Sequence, residues 1–263
     1  MAASRIEFLG KSFLFNDLGG KDLVATTMKT HEFEAPLPSV LITAVEAING
    51  IFLDVGANTG LYSVLAGLAR SNSEVVAFEP HGPAFDACRA NLEANGLTPQ
   101  ATMHKIALSD QAGDLPLYLP KQEHGLMESS ASLESNFHFG GSMPDETVPI
   151  DMLDNFKFDS RIGVMKVDIE GHEHKFLAGA EQTINRDRPL IFAEVLPVGH
   201  DGDLDKFVRE HGYLDYKLRR LGAVPDYTVR FDADAWNHAF VPIEGVALFE
   251  NICGKIGLPI LKH

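Results

Sequence analysis

The chain has 263 residues, 45% of them hydrophobic, which suits one large domain or a core domain with appendages. Its formal net charge of -15 at pH 7 argues against a nucleic-acid partner, and the absence of a Lys- and Arg-rich cluster argues against binding to an anionic membrane. The two cysteines form no metal-binding spacing, the N-terminus lacks the apolar core of a signal peptide, and no stretch is apolar for long enough to span a bilayer, so we expect a soluble, cytoplasmic protein.

The first fifty residues differ in pattern from the rest. Two short apolar runs, Ile6–Leu9 and Ser12–Phe15, predict a hairpin. A helix that opens on two prolines and ends near Ala47 is predicted to follow, since proline suits a first helical turn. We therefore expect a lead-in over residues 1–50 and the main domain over residues 51–263.

From residue 51 onward, short apolar runs alternate with helical patterns. The predicted strands of the main sheet are Ile51–Val55, Glu74–Phe78, Ala101–Ala107, Ile162–Asp168, Leu190–Val195, Tyr213–Arg219 and Gly245–Glu250, with an edge run at Leu115–Leu119. The predicted helices are 59–70, 83–95, 172–185 and 204–211. Because this alternation implies a parallel sheet with both faces covered, the predicted fold is α/β, a doubly wound, mostly parallel, seven-stranded sheet with helices on both faces.

Two stretches have no regular period. Residues 120–146 form a loop long enough to be a lid, a binding loop or a disordered insert, and these interpretations stay open. The loop side chains that suit sugar binding are His124, Ser129, Ser130, Ser132, Phe137 and His138. Residues 222–242 are predicted to be irregular, and there Trp236, His238 and Phe240 form either a substrate wall or a core plug.

A glycine-bearing turn follows the first main-domain strand. Gly56 lets the backbone approach a ligand at the carboxyl edge of the sheet, where ligands bind in doubly wound folds. Asp54 places a carboxylate beside this crevice. Glu79 ends the next strand, 19 residues after Gly60, where an acid can accept hydrogen bonds from ribose hydroxyls. Together these residues predict an adenosine-binding site.

Asn58 indicates which adenosine cofactor this is. It stands where the dinucleotide fingerprint G-x-G-x-x-G has its second glycine, which makes room for a pyrophosphate. S-adenosylmethionine has no phosphate, and Asp54 can hold its ammonium group. The turn therefore favours S-adenosylmethionine over NAD. The alternatives are a nicotinamide-dependent oxidoreductase and a non-catalytic module that only binds S-adenosylmethionine.

Several motifs resemble the FkbM family of methyltransferases. They are LDVGANTG at 53–60, Phe78-Glu79-Pro80, Asn91, Asn95, Ala107-Leu108-Ser109-Asp110, Gly113, the run 148–153 and KVDIEGHE at 166–173. The resemblance covers about residues 50–196. It implies the Rossmann-like sheet of class I methyltransferases, S-adenosylmethionine as donor, and O-methylation of a hydroxyl on a sugar or small natural product.

The resemblance also implies cofactor contacts. Asp54, Gly56 and Asn58 would line the methionine part, Glu79 would take the ribose, and the adenine would lie near Ser109 and Asp110. The full set of cofactor-binding residues expected on this basis is Asp54, Gly56, Ala57, Asn58, Gly60, Glu79, Pro80, Ser109, Asp110 and Asp168. The acceptor, a small molecule or a carbohydrate, is not identified by it.

A second charged cluster follows the strand 162–168. Asp168 ends this strand and Glu194 ends the next, so the two face one crevice if the strands are neighbours. An alcohol needs a base or a metal to take up its proton. His172 is the first choice of base, since imidazole accepts a proton near neutral pH, with Asp168 or Glu194 as alternatives. Mg²⁺ bound by Asp168 and Glu194 is the other option.

Overall fold

The computed structural model describes residues 3–16, 24, 33–119, 131–135, 144, 146–197 and 200–261. The strands are β1 (Ala3–Phe8), β2 (Lys11–Asn16), β3 (Ile51–Val55), β4 (Val75–Phe78), β5 (Ala101–His104), β6 (Ala107–Leu108), β7 (Gly113–Leu117), β8 (Glu146–Asp151), β9 (Ile162–Val167), β10 (Leu190–Glu194), β11 (Tyr213–Arg219), β12 (Gly222–Asp226) and β13 (Asn237–Pro242). The α-helices are α1 (Leu37–Ala47), α2 (Leu61–Ala69), α3 (Gly82–Ala94), α4 (Glu173–Gly179), α5 (Glu181–Asp187), α6 (Asp201–Glu210) and α7 (Val246–Lys255).

The main sheet has eight strands in the order β12-β11-β13-β10-β9-β3-β4-β5. The five strands from β10 to β5 run parallel to one another, whereas β13 is antiparallel to both β10 and β11, and β12 is antiparallel to β11. The predicted α/β fold with a mostly parallel sheet is confirmed. Six of the seven predicted strands lie in this sheet, and β12 and β13, which were not predicted, bring the total to eight.

Successive residues of a strand point to opposite sides of the sheet, so a strand of apolar residues presents apolar side chains on both faces. Helices cover both faces of this sheet. On one face, Phe52, Val164 and Phe192 pack with buried residues of α1, α2 and α7. On the other face, Leu53 and Met165 pack with buried residues of α4, α5 and α6. The parallel register aligns the ends of three central strands, and their carboxyl ends meet at one edge.

The predicted hairpin is formed by β1 and β2, which pair antiparallel. Its side chains pack with residues of α2 and α3. Asn95, at the end of α3, binds the backbone of the hairpin. Its Oδ1 accepts from Leu14 N at 2.8 Å, and its Nδ2 donates to Leu14 O at 2.7 Å. Asn91 Oδ1 accepts from Asn16 N at 2.8 Å. Two asparagines of the family-like motifs therefore hold the lead-in to α3.

A smaller sheet of order β6-β8-β7 lies beside the carboxyl edge. The run 101–107, predicted as one strand, is divided between the two sheets: β5 ends at His104, and β6 begins at Ala107 and pairs with β8. The predicted edge run 115–119 corresponds to β7, which is also in this smaller sheet.

Three further predictions are corrected. The stretch 222–242 is not irregular throughout, since it contains β12 and β13. The run 245–250 is not a strand but the first half of α7, whose buried Phe249, Ile252 and Cys253 have helical spacing. The predicted helix 172–185 is broken at Ala180 into α4 and α5. A Cβ at Gly179 would lie 1.9 Å from Ser109 O, so the backbone passes very close to β6 here.

Among the described helices, none combines the length and the apolar character that spanning a bilayer requires.

Candidate functional site

The turn after β3 packs directly against the end of β9. Gly56 has φ +79°, and a Cβ there would lie 1.9 Å from the carbonyl oxygen of Asp168. Asp168 N donates to Val55 O at 3.0 Å, and Gly56 N donates to Phe78 O at 3.0 Å. The turn therefore joins the ends of three parallel strands and leaves no room for a side chain at residue 56.

The rest of the turn is shaped by the same tight packing. Asn58 has φ +52°, a left-handed conformation. Gly60 has φ +88°, and a Cβ there would lie 2.5 Å from Cys88 Sγ of α3. Ala57 is buried in the cluster that contains the hairpin. Ala57 and Gly60 thus pack against other parts of the protein on the side of the turn away from the cavity described below. Gly56 and Asn58 line that cavity.

Glu79 ties this turn to the turn after β4. Its Oε2 accepts from Asn58 N at 2.7 Å, and its Oε1 accepts from His81 N at 2.9 Å. The side chain is buried, and this burial raises the pKa of Glu79 to about 7 in spite of both hydrogen bonds. A carboxylate has about four lone-pair positions, so two remain for further hydrogen-bond donors.

Asp54 lies behind the turn and does not line the cavity. Its Oδ2 accepts from Ser63 Oγ at 2.6 Å, and burial raises the pKa of Asp54 to about 6. In the sheet its register partner is Lys166 of β9, whose charge counteracts part of this rise.

A cavity lies in front of the turn. Its lining consists of Val55, Gly56, Asn58, Phe78, Glu79, Pro80, Ile106, Ala107, Leu108, Leu117, Ala131, Leu133, Asp168, Ile169 and Glu170. Five predicted cofactor residues are among them: Gly56, Asn58, Glu79, Pro80 and Asp168. Ser109 and Asp110 do not line the cavity, because Leu108 is the last residue of this segment that does.

Three carboxylates meet at the same edge of the sheet. One oxygen each of Asp168, Glu170 and Glu194 lies within 4.8 Å of the other two. Asp168 and Glu194 come together because β9 and β10 are parallel neighbours. Glu194 Oε2 is buried and has no hydrogen-bond partner among the described residues. Burial, followed by the negative charge of Asp168, raises the pKa of Glu194 well above its ordinary value.

One buried lysine balances part of this negative charge. Lys166 is 2% exposed, and its Nζ donates to Asp168 Oδ2 at 2.6 Å. The same ammonium lies 4.8 Å from the ring centre of Tyr62, whose hydroxyl donates to Glu34. None of these three residues was predicted from the sequence to be a site residue. Lys166 lies in β9, two positions before Asp168, which directly follows the strand. Because side chains two positions apart in a strand lie on the same face, the sequence did contain a signal for this pair. Glu34 precedes α1 and gave no local signal.

His172 is buried and both of its ring nitrogens are engaged. Nε2 lies 2.9 Å from Ser109 Oγ, and Nδ1 lies 2.7 Å from Glu134 Oε1. The neighbouring Glu173 is also buried, and its Oε1 accepts from Ile169 N at 3.0 Å. His172 therefore holds other parts of the chain in place and presents no free ring nitrogen to the cavity.

The remaining predicted residues lie in several places. The loop residues His124, Ser129, Ser130, Phe137 and His138 fall outside the described residues, whereas Ser132 lies within them. Trp236 is 49% exposed. His238 and Phe240 are fully buried, with His238 Nδ1 2.9 Å from Asp215 Oδ1, which places both in the core.

Comparison with known proteins identifies relatives of this chain. The sequence profile of the family described as "Methyltransferase FkbM domain" matches residues 54–214. Methyltransferase sdnD of Sordaria araneosa is 26% identical over 204 residues, which cover 68% of this chain and 78% of that protein. The 31-O-demethyl-FK506 methyltransferase FkbM of Streptomyces tacrolimicus is 28% identical over 198 residues, which cover 62% of this chain and 72% of that protein.

A solved structure has the same fold. The crystal structure of methyltransferase FkbM from Methylobacillus flagellatus KT aligns with a TM-score of 0.51 and 15% identity. The alignment covers 73% of this chain and 43% of that one, so this chain spans less than half of the length of the solved protein.

Proposed function

The chain belongs to the FkbM family of S-adenosylmethionine-dependent methyltransferases, and on this premise we propose that it methylates a hydroxyl oxygen of a small molecule or a sugar. The match over residues 54–214 confirms the family resemblance and argues against the nicotinamide-dependent alternative. The observation that supports an oxygen acceptor is the carboxylate cluster at the sheet edge, which can take up a hydroxyl proton. The Streptomyces relative acts on a 31-O-demethyl compound, which agrees with this class of acceptor.

In this proposal the donor's adenosine occupies the cavity in front of the glycine turn. Glu79 keeps two acceptor positions for the ribose hydroxyls, because backbone N–H groups use the others. Gly56 and Asn58 face the methionine part, and Asp54 attracts the ammonium group from behind the turn. The residues fit a donor with positive charge, since two carboxyl groups, those of Asp54 and Asp168, lie beside one ammonium group, that of Lys166.

The acceptor hydroxyl lies, on this proposal, beside Asp168 and Glu194. When bound, S-adenosylmethionine supplies the methyl carbon: the acceptor oxygen bonds to it as the carbon–sulfur bond breaks, and that electron pair stays on sulfur. Glu194 takes the hydroxyl proton, because its Oε2 has no hydrogen-bond partner among the described residues. Asp168, held by Lys166 at 2.6 Å, orients the hydroxyl. His172, predicted as base, has both ring nitrogens engaged and is assigned a different role below.

The Mg²⁺ ion considered in the sequence analysis stays a prediction. Asp168, Glu170 and Glu194 offer the oxygen ligands that Mg²⁺ prefers. A bound ion would act as a Lewis acid and lower the pKa of the acceptor hydroxyl. The ammonium group of Lys166 already offsets one of the charges such an ion would neutralise.

Titration and product analysis test the proposed function. We expect calorimetry to detect binding of S-adenosylmethionine and S-adenosylhomocysteine and not of NAD. Incubation with sugars and hydroxylated small molecules is expected to release S-adenosylhomocysteine and to add one methyl group to the acceptor. Nuclear magnetic resonance of the product then locates the methyl group. A methyl group on nitrogen or carbon would contradict the proposal, and donor binding without turnover on any hydroxyl acceptor would favour the non-catalytic alternative.

The affinity for S-adenosylmethionine is expected to increase with pH between about pH 5 and 8. Burial raises the pKa of Asp54 to about 6 and that of Glu79 to about 7, so both carboxyls lose their protons in this interval. The ionised forms attract the cationic donor and accept hydroxyl hydrogen bonds, so Kd should fall roughly tenfold as pH rises through these pKa values. Calorimetry at a series of pH values measures this.

Asp54→Asn is the matched test of this pH dependence. The variant should bind more weakly at neutral pH and lose part of the pH slope, because the amide does not titrate. Asp86→Asn, an exposed change on α3, should leave the slope intact. A parental slope that is flat, or equal in Asp54→Asn, would refute the role given to Asp54.

A further inference from the structure

Residues 131–135 supply one wall of the cavity assigned to the donor. Ala131 and Leu133 line the cavity together with Leu108 and Leu117 of the smaller sheet. The residues between and after them, Ser132 and Glu134, hydrogen-bond to the rest of the protein. The segment therefore alternates between apolar side chains toward the cavity and polar side chains toward their anchors.

Ser132 is the first anchor. It is fully buried, and its backbone N–H and C=O pair with Tyr118 at 3.0 and 2.8 Å. Its Oγ donates to Glu170 O at 2.7 Å and accepts from Glu134 N at 3.0 Å. The wall is thus joined both to the end of β7 and to the turn after β9.

Glu134 is the second anchor, and it acts through His172. The Glu134 carboxylate lies 2.7 Å from His172 Nδ1, and His172 Nε2 lies 2.9 Å from Ser109 Oγ. Ser109 follows β6, and His172 precedes α4. The chain of hydrogen bonds therefore runs from the cavity wall to the two turns that border the cavity.

Both ring nitrogens of His172 lie within hydrogen-bond distance of other side chains, so neither is free to meet a substrate. Ionised Glu134 accepts only, so Nδ1 carries a hydrogen. Ser109 Oγ also donates to Asp110 Oδ1 at 3.1 Å. The hydrogen bond to His172 lowers the pKa of Glu134, which favours its carboxylate form.

We propose that Glu134 and His172 are positioning residues that fix the wall 131–135 against the adenosine part of S-adenosylmethionine. They set the affinity for the donor and do not take part in proton transfer. The inference rests on the proposed cofactor seat. It does not depend on the acceptor, because its primary readout is donor binding, so failure of O-methylation leaves the test intact.

The test compares two Glu–His pairs. Glu134→Ala is expected to raise the Kd of both S-adenosylmethionine and S-adenosylhomocysteine by about tenfold, the effect of losing one charged hydrogen bond. Glu134→Gln keeps an acceptor oxygen and should raise Kd by only about threefold. Glu181→Ala is the control, because Glu181 pairs with His211 at 3.1 Å away from the cavity lining and should change Kd by less than about twofold.

Two further readouts separate positioning from a purely structural or a catalytic role. His172→Ala combined with Glu134→Ala should lose no more affinity than the larger single loss, because the two side chains act as one unit. In Glu134→Ala, KM for the donor should rise while kcat at saturating donor changes little. Thermal unfolding checks that the variants fold, as expected for a glutamate side chain that is 31% exposed.

Two results would overturn the proposal. One is a parent that binds the donor and a Glu134→Ala variant that binds it equally well. The other is a His172→Ala variant whose kcat falls steeply at unchanged KM for the donor, which would assign His172 as the base after all.

Discussion

Gly56→Ala is expected to abolish measurable binding of S-adenosylmethionine and to destabilise the fold. The added Cβ would lie 1.9 Å from Asp168 O, and φ +79° is a conformation that L-residues avoid. The backbone of β9 and the glycine turn would have to separate, which would displace the residues proposed to hold the donor. Displacements of about 1 Å in a site can cost about a hundredfold, so we expect Kd to rise by at least that factor.

Gly96→Ala provides the matched control. Gly96 has φ +69°, but nothing lies within 4 Å of the position of its Cβ. This variant therefore isolates the cost of the left-handed backbone, about 1–2 kcal/mol of unfolding free energy, without a collision. Calorimetry and thermal unfolding of both variants measure the difference. Equal donor affinity in the two variants would show that the close contact between Gly56 and Asp168 does not matter for donor binding.

Glu194→Gln is expected to lower turnover by about a hundredfold or more, the usual contribution of a general base. The amide keeps the size of the side chain but cannot take up the acceptor proton. Donor affinity should change much less, because Glu194 does not line the donor cavity. Steady-state kinetics with a hydroxyl acceptor, together with donor titration, measures the two effects separately.

Glu170→Gln is the comparison that separates a base from a metal ligand. Glu170 belongs to the same carboxylate cluster but is given no part in proton transfer. If Glu194 acts as base without a metal, Glu170→Gln keeps most of its turnover, and chelation followed by Mg²⁺ addition has no effect. If both variants lose turnover and Mg²⁺ restores the chelated parent, the cluster is a metal site. Full turnover in Glu194→Gln would remove Glu194 from the mechanism.

The sequence predicted the geometry of the sheet edge at the glycine turn well because its signals are local. A glycine turn at the end of one buried strand and an acid at the end of the next require only that the two strands be parallel neighbours, and β3 and β4 are. Glu79 meets the turn after β3 for this reason. The same logic, applied to β9 and β10, anticipated that Asp168 and Glu194 would meet.

Other features depend on contacts between distant parts of the chain. Glu134 reaches His172 across 38 positions, and Glu34 reaches Tyr62 across 28, so no sequence period could reveal either pair. The predicted strand 245–250 was wrong because six residues are too few to separate strand from helix periodicity. The buried residues Ile252 and Cys253, just beyond that window, complete the helical spacing.

At the proposed donor site, the excess of carboxylates around Lys166 would also distinguish S-adenosylmethionine from its demethylated product. S-adenosylmethionine arrives with a positive sulfur, and that charge disappears once the methyl group has left. Since Asp54 and Asp168 keep their positions, the attraction between these carboxylates and the donor weakens when the sulfur loses its charge. S-adenosylhomocysteine, which lacks the sulfonium charge, is then held less strongly by these carboxylates than its precursor was.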